Sequence, residues 1–256
     1  MKKPTIKEIE MKLKDIEPLK APEFLKQMQI EYGIGLDRLI EKYDRRKLAY
    51  EEEIQRFNSM CEYEKKAYAS GVEYVAGIDE AGRGPLAGPV VAAAVILPKD
   101  VFIPGLNDSK QVSYAQRNIL FDVIKAKAIS YGIGIIDEKC IDEINILNAT
   151  KKAMVSAVEM LGRKPEILLI DALKLDDINI EQIDIIKGDC KSISIAAASI
   201  IAKVTRDRLI EEMDSLYPQY GFAKHKGYGT SEHIEAIRKY GLCPIHRRSF
   251  TGHFTG

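Results

Sequence analysis

The sequence predicts an α/β core, a mixed sheet flanked by helices, behind an N-terminal helical extension. Three observations lead there. Residues 72–97 hold two apolar, β-branched runs joined by a glycine-rich loop, which reads as strand–loop–strand. Glu166-Ile167-Leu168-Leu169-Ile170-Asp171 is a strand of the uninterrupted apolar kind found in sheets covered on both faces. Helical and strand-like stretches alternate around it, as they do in layered α/β domains.

The extension, residues 1–71, opens on Thr5-Ile6-Lys7-Glu8, a capping box, with Ile6, Ile9, Leu13 and Ile16 at helical spacing. Pro18 to Pro22 interrupts it, and Pro22 suits the first turn of a second helix carrying Phe24, Leu25 and Met28. Gly33 and Gly35 interrupt again. Leu36 to about Ala69 then predicts one long charged helix bearing Leu39, Tyr43, Tyr50, Ile54 and Phe57. Its charges nearly cancel, which favours a solvated helical appendage.

Composition changes at Gly71-Val72, where the second domain, residues 72–256, is expected to begin. A strand from Val72 to Ile78, a loop, and a strand from Val90 to Leu97 start it. Gly105 to Lys110 predicts a turn, and Ser113 caps an amphipathic helix running to about Ala126. Ala128 to Ile136 predicts a third strand. A helix from about Ile146 through Met160 is stopped by Gly162 and Pro165. After the strand ending on Asp171, Ile185-Ile186-Lys187-Gly188-Asp189 ends another short one. Ile193, Ala196, Ala197, Ile200, Ile201 and Val204 then mark a helix with a broad apolar face, and Thr230 caps a last helix ending before Gly241.

Composition narrows the function classes. Hydrophobic residues make up 46% of the 256, enough for a real core. The formal net charge is zero, so any affinity for nucleic acid must come from a local patch. Cys61, Cys140, Cys190 and Cys243 are scattered without a C-x-x-C pair, which argues against a zinc site or disulfide framework and for a reducing setting. The basic start lacks an apolar segment behind it, and the longest apolar runs are too short to span a bilayer. A cytoplasmic protein without membrane attachment is expected.

The chemistry concentrates at Gly77-Ile78-Asp79-Glu80-Ala81-Gly82-Arg83-Gly84-Pro85. Two adjacent carboxylates end an apolar strand, and buried carboxylates need a cationic partner. Gly82 and Gly84 leave backbone N–H groups approachable, and the Arg83 fork suits phosphate. Gly82-Arg83-Gly84-Pro85-Leu86-Ala87 also fits a loose dinucleotide-binding pattern. That pattern needs a following helix, whereas a β-branched run follows here. Asp171, and then Asp189, end further strands, and ligands in open α/β sheets bind beyond strand ends. Each acid alone could be a turn or helix cap; three strand ends finishing on Asp suggest more. Together Asp79, Glu80, Asp171 and Asp189 form an all-oxygen set that selects Mg²⁺ or Mn²⁺ over zinc. Neighbours on a strand point to opposite faces, so Asp79 and Glu80 can both ligate only if the strand ends or bulges there.

All four histidines (His225, His233, His246 and His253) fall in a locally basic stretch after Gly221. They lack metal-ligand spacing. Lys224-His225-Lys226-Gly227-Tyr228-Gly229-Thr230 mixes cations, glycines and a tyrosine in a manner suited to phosphate contact and base stacking.

These stretches, with Gly88-Pro89-Val90-Val91-Ala92-Ala93-Ala94, Asn107-Asp108-Ser109-Lys110, Leu169-Ile170-Asp171, Lys187-Gly188-Asp189 and Ala196 through Asp207, resemble the type 2 ribonuclease H family over roughly residues 72–250. The longer N-terminal form resembles its bacterial members. The resemblance implies a ribonuclease H-like fold and Mg²⁺- or Mn²⁺-dependent endonucleolytic cleavage of RNA in RNA–DNA hybrids, including single ribonucleotides in DNA. It implies Asp79, Glu80, Asp171 and Asp189 as catalytic metal ligands. Gly82, Arg83 and Gly84 match the loop that reads the 2′-OH, and Tyr228 the tyrosine that stacks at the RNA–DNA junction. Lys110 and Lys226 are taken as further substrate contacts, and the chain as a monomer. Two other readings stand beside this one, a non-catalytic hybrid-binding module and a metal-dependent phosphatase.

Overall fold

The computed structural model describes residues 3–252, and the chain separates into two compact units, Met1–Ser59 and Met60–Gly256. In the first, α1 (Ile6–Lys12) starts on a capping box closed in both directions: Glu8 N–H donates to the Thr5 hydroxyl, and Thr5 N–H donates to the Glu8 carboxylate. A 3₁₀ turn follows, then α2 (Ala21–Tyr32), ended by Gly33 at φ 59°, and α3 (Asp37–Ser59). Ile9, Leu13, Leu25, Met28 and Leu36 make the small core of this unit.

The single long helix predicted from Leu36 to Ala69 is two. After α3 ends at Ser59, α4 (Glu62–Ala69) begins afresh in the second unit. No proline or glycine marks the break. Tertiary contacts decide it: the Met60 carbonyl accepts the Ile193 N–H at 3.2 Å, and the buried Glu64 carboxylate accepts Ser192 Oγ at 2.6 Å and Ser194 N–H at 3.0 Å. The predicted composition boundary at Gly71-Val72 lies inside this second unit.

The sheet of the second unit is mixed, in the order β3-β2-β1-β4-β5. Its strands are β1 (Val75–Ala81), β2 (Val90–Ile96), β3 (Ser130–Ile136), β4 (Ile167–Asp171) and β5 (Glu181–Ile185). The β1–β2 and β2–β3 pairs are antiparallel; β1–β4 and β4–β5 are parallel. Every residue of β2 is buried, and each such Val or Ile contributes roughly 1.5–3 kcal/mol of apolar transfer. Alternation along β1 sorts the faces. Ala76 and Ile78 pack against α6 (Glu138–Glu159), while Val75 shares a cluster with Ile195 of α7 (Ile193–Leu216). Gly77 lies under α7, where an added Cβ would fall 2.0 Å from the Ser194 carbonyl carbon. A fifth helix, α5 (Tyr114–Lys127), packs on α7 and starts from the Ser113 cap as predicted.

Helix α6 starts on Asp137, earlier than the predicted Ile146. It is kinked at Asn145 (φ 66°), whose side chain accepts from Leu147 N–H and Asn148 N–H and so restarts it. The predicted helix is thus the second part of a longer element. Between β4 and β5 the described chain forms no helix. Asp189 does not end β5; it sits on a 3₁₀ turn, Gly188–Cys190, beyond it. The chain closes with α8 (Phe222–His225), α9 (Ser231–Tyr240) on its Thr230 cap, and α10 (Arg248–Thr251). No helix among the described residues is long and apolar enough to cross a membrane.

Candidate active site

Register builds the site. In the parallel β1–β4 pair Ile78 lies opposite Ile170, so the next residues, Asp79 and Asp171, stand side by side at the C-terminal end of the sheet. Strand β1 runs on through both acids to Ala81, and Asp79 and Glu80 nonetheless line one cleft of about 220 Å³ at its end. Asp171, Arg83, Lys110, Lys203 and Tyr228 line it too.

Asp79 is buried and accepts the Glu80 N–H at 2.8 Å. Burial first, then the Glu80 and Asp171 charges, raise its carboxyl well above the usual carboxylate range. Burial also raises Glu80, against the pull of Arg83, whose Nη1 lies 3.4 Å from Oε1. The other oxygen, Glu80 Oε2, is buried without a hydrogen-bond partner. Asp171 Oδ1 accepts the Gly188 N–H at 2.8 Å, which ties the end of β4 to the turn bearing Asp189.

Asp189 is buried, and its oxygens lie with Asp108 and the Cys190 thiol within 4.8 Å of one another. Burial and the Asp108 charge raise its carboxyl, while Lys110 Nζ at 3.5 Å opposes them. Asp108 is an acid that sequence reasoning passed over: it stood in the Asn107–Lys110 stretch, taken there as a turn. Lys203, also in the cleft, pairs with Asp207 at 2.7 Å, and burial lowers its ammonium.

The phosphate-friendly loop and the tyrosine meet at this cleft. Tyr228 is 44% exposed, and a Cβ on Gly84 would lie 3.8 Å from its ring. A side chain at 84 would thus pack against Tyr228, and glycine keeps that part of the cleft clear. Gly82 is glycine for an internal reason: its φ is 96°, and a Cβ there would fall 2.1 Å from Arg206 Nε. Lys226 departs from its expected role as a substrate contact. Its ammonium is turned onto Glu211 Oε1 at 2.7 Å and onto the Ala223 carbonyl, and it is absent from the cleft lining. A left-handed backbone (φ 52°) at Lys226 gives the chain this turn.

His225, His233 and His246 are not part of a solvated basic surface; all three are buried, in a ring cluster behind Tyr228. His253 lies outside the described residues. Sequence reasoning also missed Arg206 and Arg247, both fully buried, because nothing in their spacing sets them apart from surface cations.

Comparison with known proteins gives the family. The family model described as Ribonuclease HII matches residues 76–253, and the Ribonuclease HII N-terminal domain matches residues 5–68. Ribonuclease HII of Acetivibrio thermocellus is 66% identical over 250 residues, 98% of each chain, and that of Ruminiclostridium cellulolyticum is 55% identical over the same coverage. Among solved structures, ribonuclease H2 from Pyrococcus horikoshii OT3 superposes with a TM-score of 0.59 at 31% identity, covering 71% of this chain and 99% of that one. Sequence and fold together show that this chain is a ribonuclease, a member of the ribonuclease HII family.

Proposed function

We propose that the protein hydrolyses the RNA strand of RNA–DNA hybrids and incises on the 5′ side of single ribonucleotides embedded in duplex DNA. One observation carries this reading: the carboxylates of Asp79, Glu80 and Asp171 share a cleft with Gly82, Arg83, Gly84 and Tyr228, so an acid cluster adjoins a backbone-baring loop and an exposed aromatic ring.

The residues present fit a hard divalent cation. Glu80 Oε2 is buried and unpartnered, burial and then the Glu80 and Asp171 charges raise the Asp79 carboxyl, and the donors are all oxygens. Asp79, Glu80, Asp171 and Asp189 would hold Mg²⁺ or Mn²⁺. A pair of such ions supplies an activated water and steadies the leaving oxygen in phosphodiester hydrolysis. The protein's own groups do the selecting. Open backbone at Gly84 lets a sugar approach closely, and the 2′-OH is the feature that separates RNA from DNA at one site. Tyr228 presents a face for a base or sugar to stack on. Lys110, exposed but for its contact with Asp189, is placed to meet a phosphate. We take the active species to be a single chain in the cytoplasm, a reducing compartment that suits four cysteines joined by no disulfide.

The test is cleavage of a labelled DNA duplex containing one ribonucleotide, with Mg²⁺, Mn²⁺ or EDTA, by wild type and Asp79→Asn. A 5′-side cut that disappears with EDTA and in the variant supports the proposal. Wild type that binds the duplex and never cuts it refutes it.

A further inference from the structure

Two arginines lie beneath the loop between β1 and β2, and the proposed hydrolysis uses neither. Arg206 on α7 and Arg247 before α10 are each 0% exposed, and neither forms an ion pair among the described residues. Buried guanidinium groups without a carboxylate are costly unless every N–H finds an acceptor. Here the acceptors are backbone carbonyls of one loop. Arg247 donates to Gly82 O at 2.6 Å, Arg83 O at 3.0 Å and Gly88 O at 2.9 Å. Arg206 donates to Ala87 O at 3.1 Å, to Pro89 O at 3.0 Å and, across to the Tyr228 loop, to Lys226 O at 3.0 Å.

Peptide planarity carries this pull to the other side of the loop. In a trans peptide the C=O and the next residue's N–H point in opposite directions across one rigid plane. When Arg247 draws the Gly82 and Arg83 carbonyls inward, the N–H groups of Arg83 and Gly84 must point the other way. Neither N–H donates to a protein acceptor among the described residues, and both residues line the cleft. The same loop is stitched on either side, by Leu86 N–H to Gly227 O and by Gly88 N–H to Ile245 O, each at 2.8 Å.

We propose that Arg247, backed by Arg206, is a positioning residue for substrate: it turns the Arg83 and Gly84 N–H groups into the cleft as a ready-made donor pair for an oxygen of the ribonucleotide. Arg206 sets the spacing of that pair from Tyr228 by holding both loops. This role rests on the cleft being the proposed ribonucleotide site. It assigns the geometry of the loop to two side chains that never touch the substrate. Because neither arginine contacts the acids, their loss weakens substrate binding and leaves turnover at saturation largely intact.

The experiment measures KM and kcat on the single-ribonucleotide duplex for wild type, Arg247→Lys and Arg206→Lys. Lysine keeps the charge and loses the planar fork. Leu120→Ala, a core change on α5, serves as a control with lowered melting temperature. The expected result is a KM raised about tenfold, the equivalent of one good hydrogen bond's alignment, with kcat within about threefold, in both arginine variants and not in the control. Arginine variants whose KM matches wild type, or that merely follow the control, overturn the inference. Wild type that leaves the duplex uncut overturns the functional reading instead. Should neither arginine variant fold, ¹⁵N-labelled wild type decides: the Arg83 and Gly84 amide resonances must shift when the ribonucleotide duplex is added in EDTA, and stationary resonances refute the proposal.

Discussion

His246 Nε2 donates to His233 Nε2 across 3.0 Å, and the direction of that bond is set by the groups on either side. His246 Nδ1 accepts the Cys243 N–H at 2.9 Å, so its proton sits on Nε2. His233, accepting there, donates from Nδ1 to the Tyr228 carbonyl at 2.8 Å. A relay of two neutral rings therefore ends on the backbone of the tyrosine that faces the cleft.

Acid should break this relay. Burial lowers His233 and His246 to about 4. His225, Tyr220, Phe222 and Cys243 surround the two rings, and none is a carboxylate. An unfolded histidine titrates near 6.5, so between about pH 6.5 and 4 the unfolded chain takes up protons that the folded chain refuses. Stability is then lost as pH falls through that window, by up to roughly 1.4 kcal/mol per pH unit for each ring. The melting temperature of wild type should drop from pH 6.5 to 4.5 more steeply than that of His246→Gln. Parallel slopes would clear the pair of any part in acid sensitivity.

Asp79 has the opposite sign. Its carboxyl is raised, so the folded protein holds a proton that the unfolded chain releases, and the associated stability disappears as pH rises through the folded value. At pH 8 without metal the carboxylate is a liability. Asp79→Asn should melt higher than wild type in EDTA by a few degrees, about 2–4 °C for each kcal/mol in a chain of this size. A lower melting temperature would mean that the protein already compensates the charge.

Divalent ions should reverse that liability. At ten times its dissociation constant a ligand stabilises the folded state by about 1.4 kcal/mol. Mg²⁺ should raise the wild-type melting temperature, and Asp171→Asn should shrink the rise. Equal shifts in the two proteins would remove Asp171 from the ligand set.

Two residues of one loop should separate cleanly. Tyr228→Ala should raise KM on a ribonucleotide duplex about tenfold, since a stacked base is worth roughly 1–3 kcal/mol. Lys226→Met should leave KM within about twofold, because that ammonium serves the Glu211 pair, and a partly exposed pair contributes about 1 kcal/mol or less. A large KM change at Lys226 would restore it as a substrate contact.

Sequence alone revealed most of the sheet because its strands are either continuous apolar runs or lie next to glycine turns, and the Thr5, Ser113 and Thr230 caps marked helix starts directly. It failed where a distant partner decides. The break after Ser59 depends on Ile193 and Ser192, which come far later in the chain, and the kink at Asn145 depends on a side chain capping its own backbone. At the site, carboxylates at strand ends were legible because burying an acid demands a reason. The pairing of Lys226 with Glu211 was not legible, and Arg206 and Arg247 were overlooked, for one cause: a cation's spacing in sequence does not say whether it faces water, an acid or a carbonyl.

The contact at Gly77 makes tolerance to change uneven along the chain. Naked backbone there lets α7 rest directly on β1, just ahead of Asp79 on one element and Ser199 on the other. Exchanging the acids one at a time should cost activity and keep the architecture. A methyl group at 77 would instead push α7 away from the strand that carries Asp79 and Glu80. Under random mutagenesis, dead but well-folded variants should therefore gather at the carboxylates, while position 77 should yield no soluble survivors.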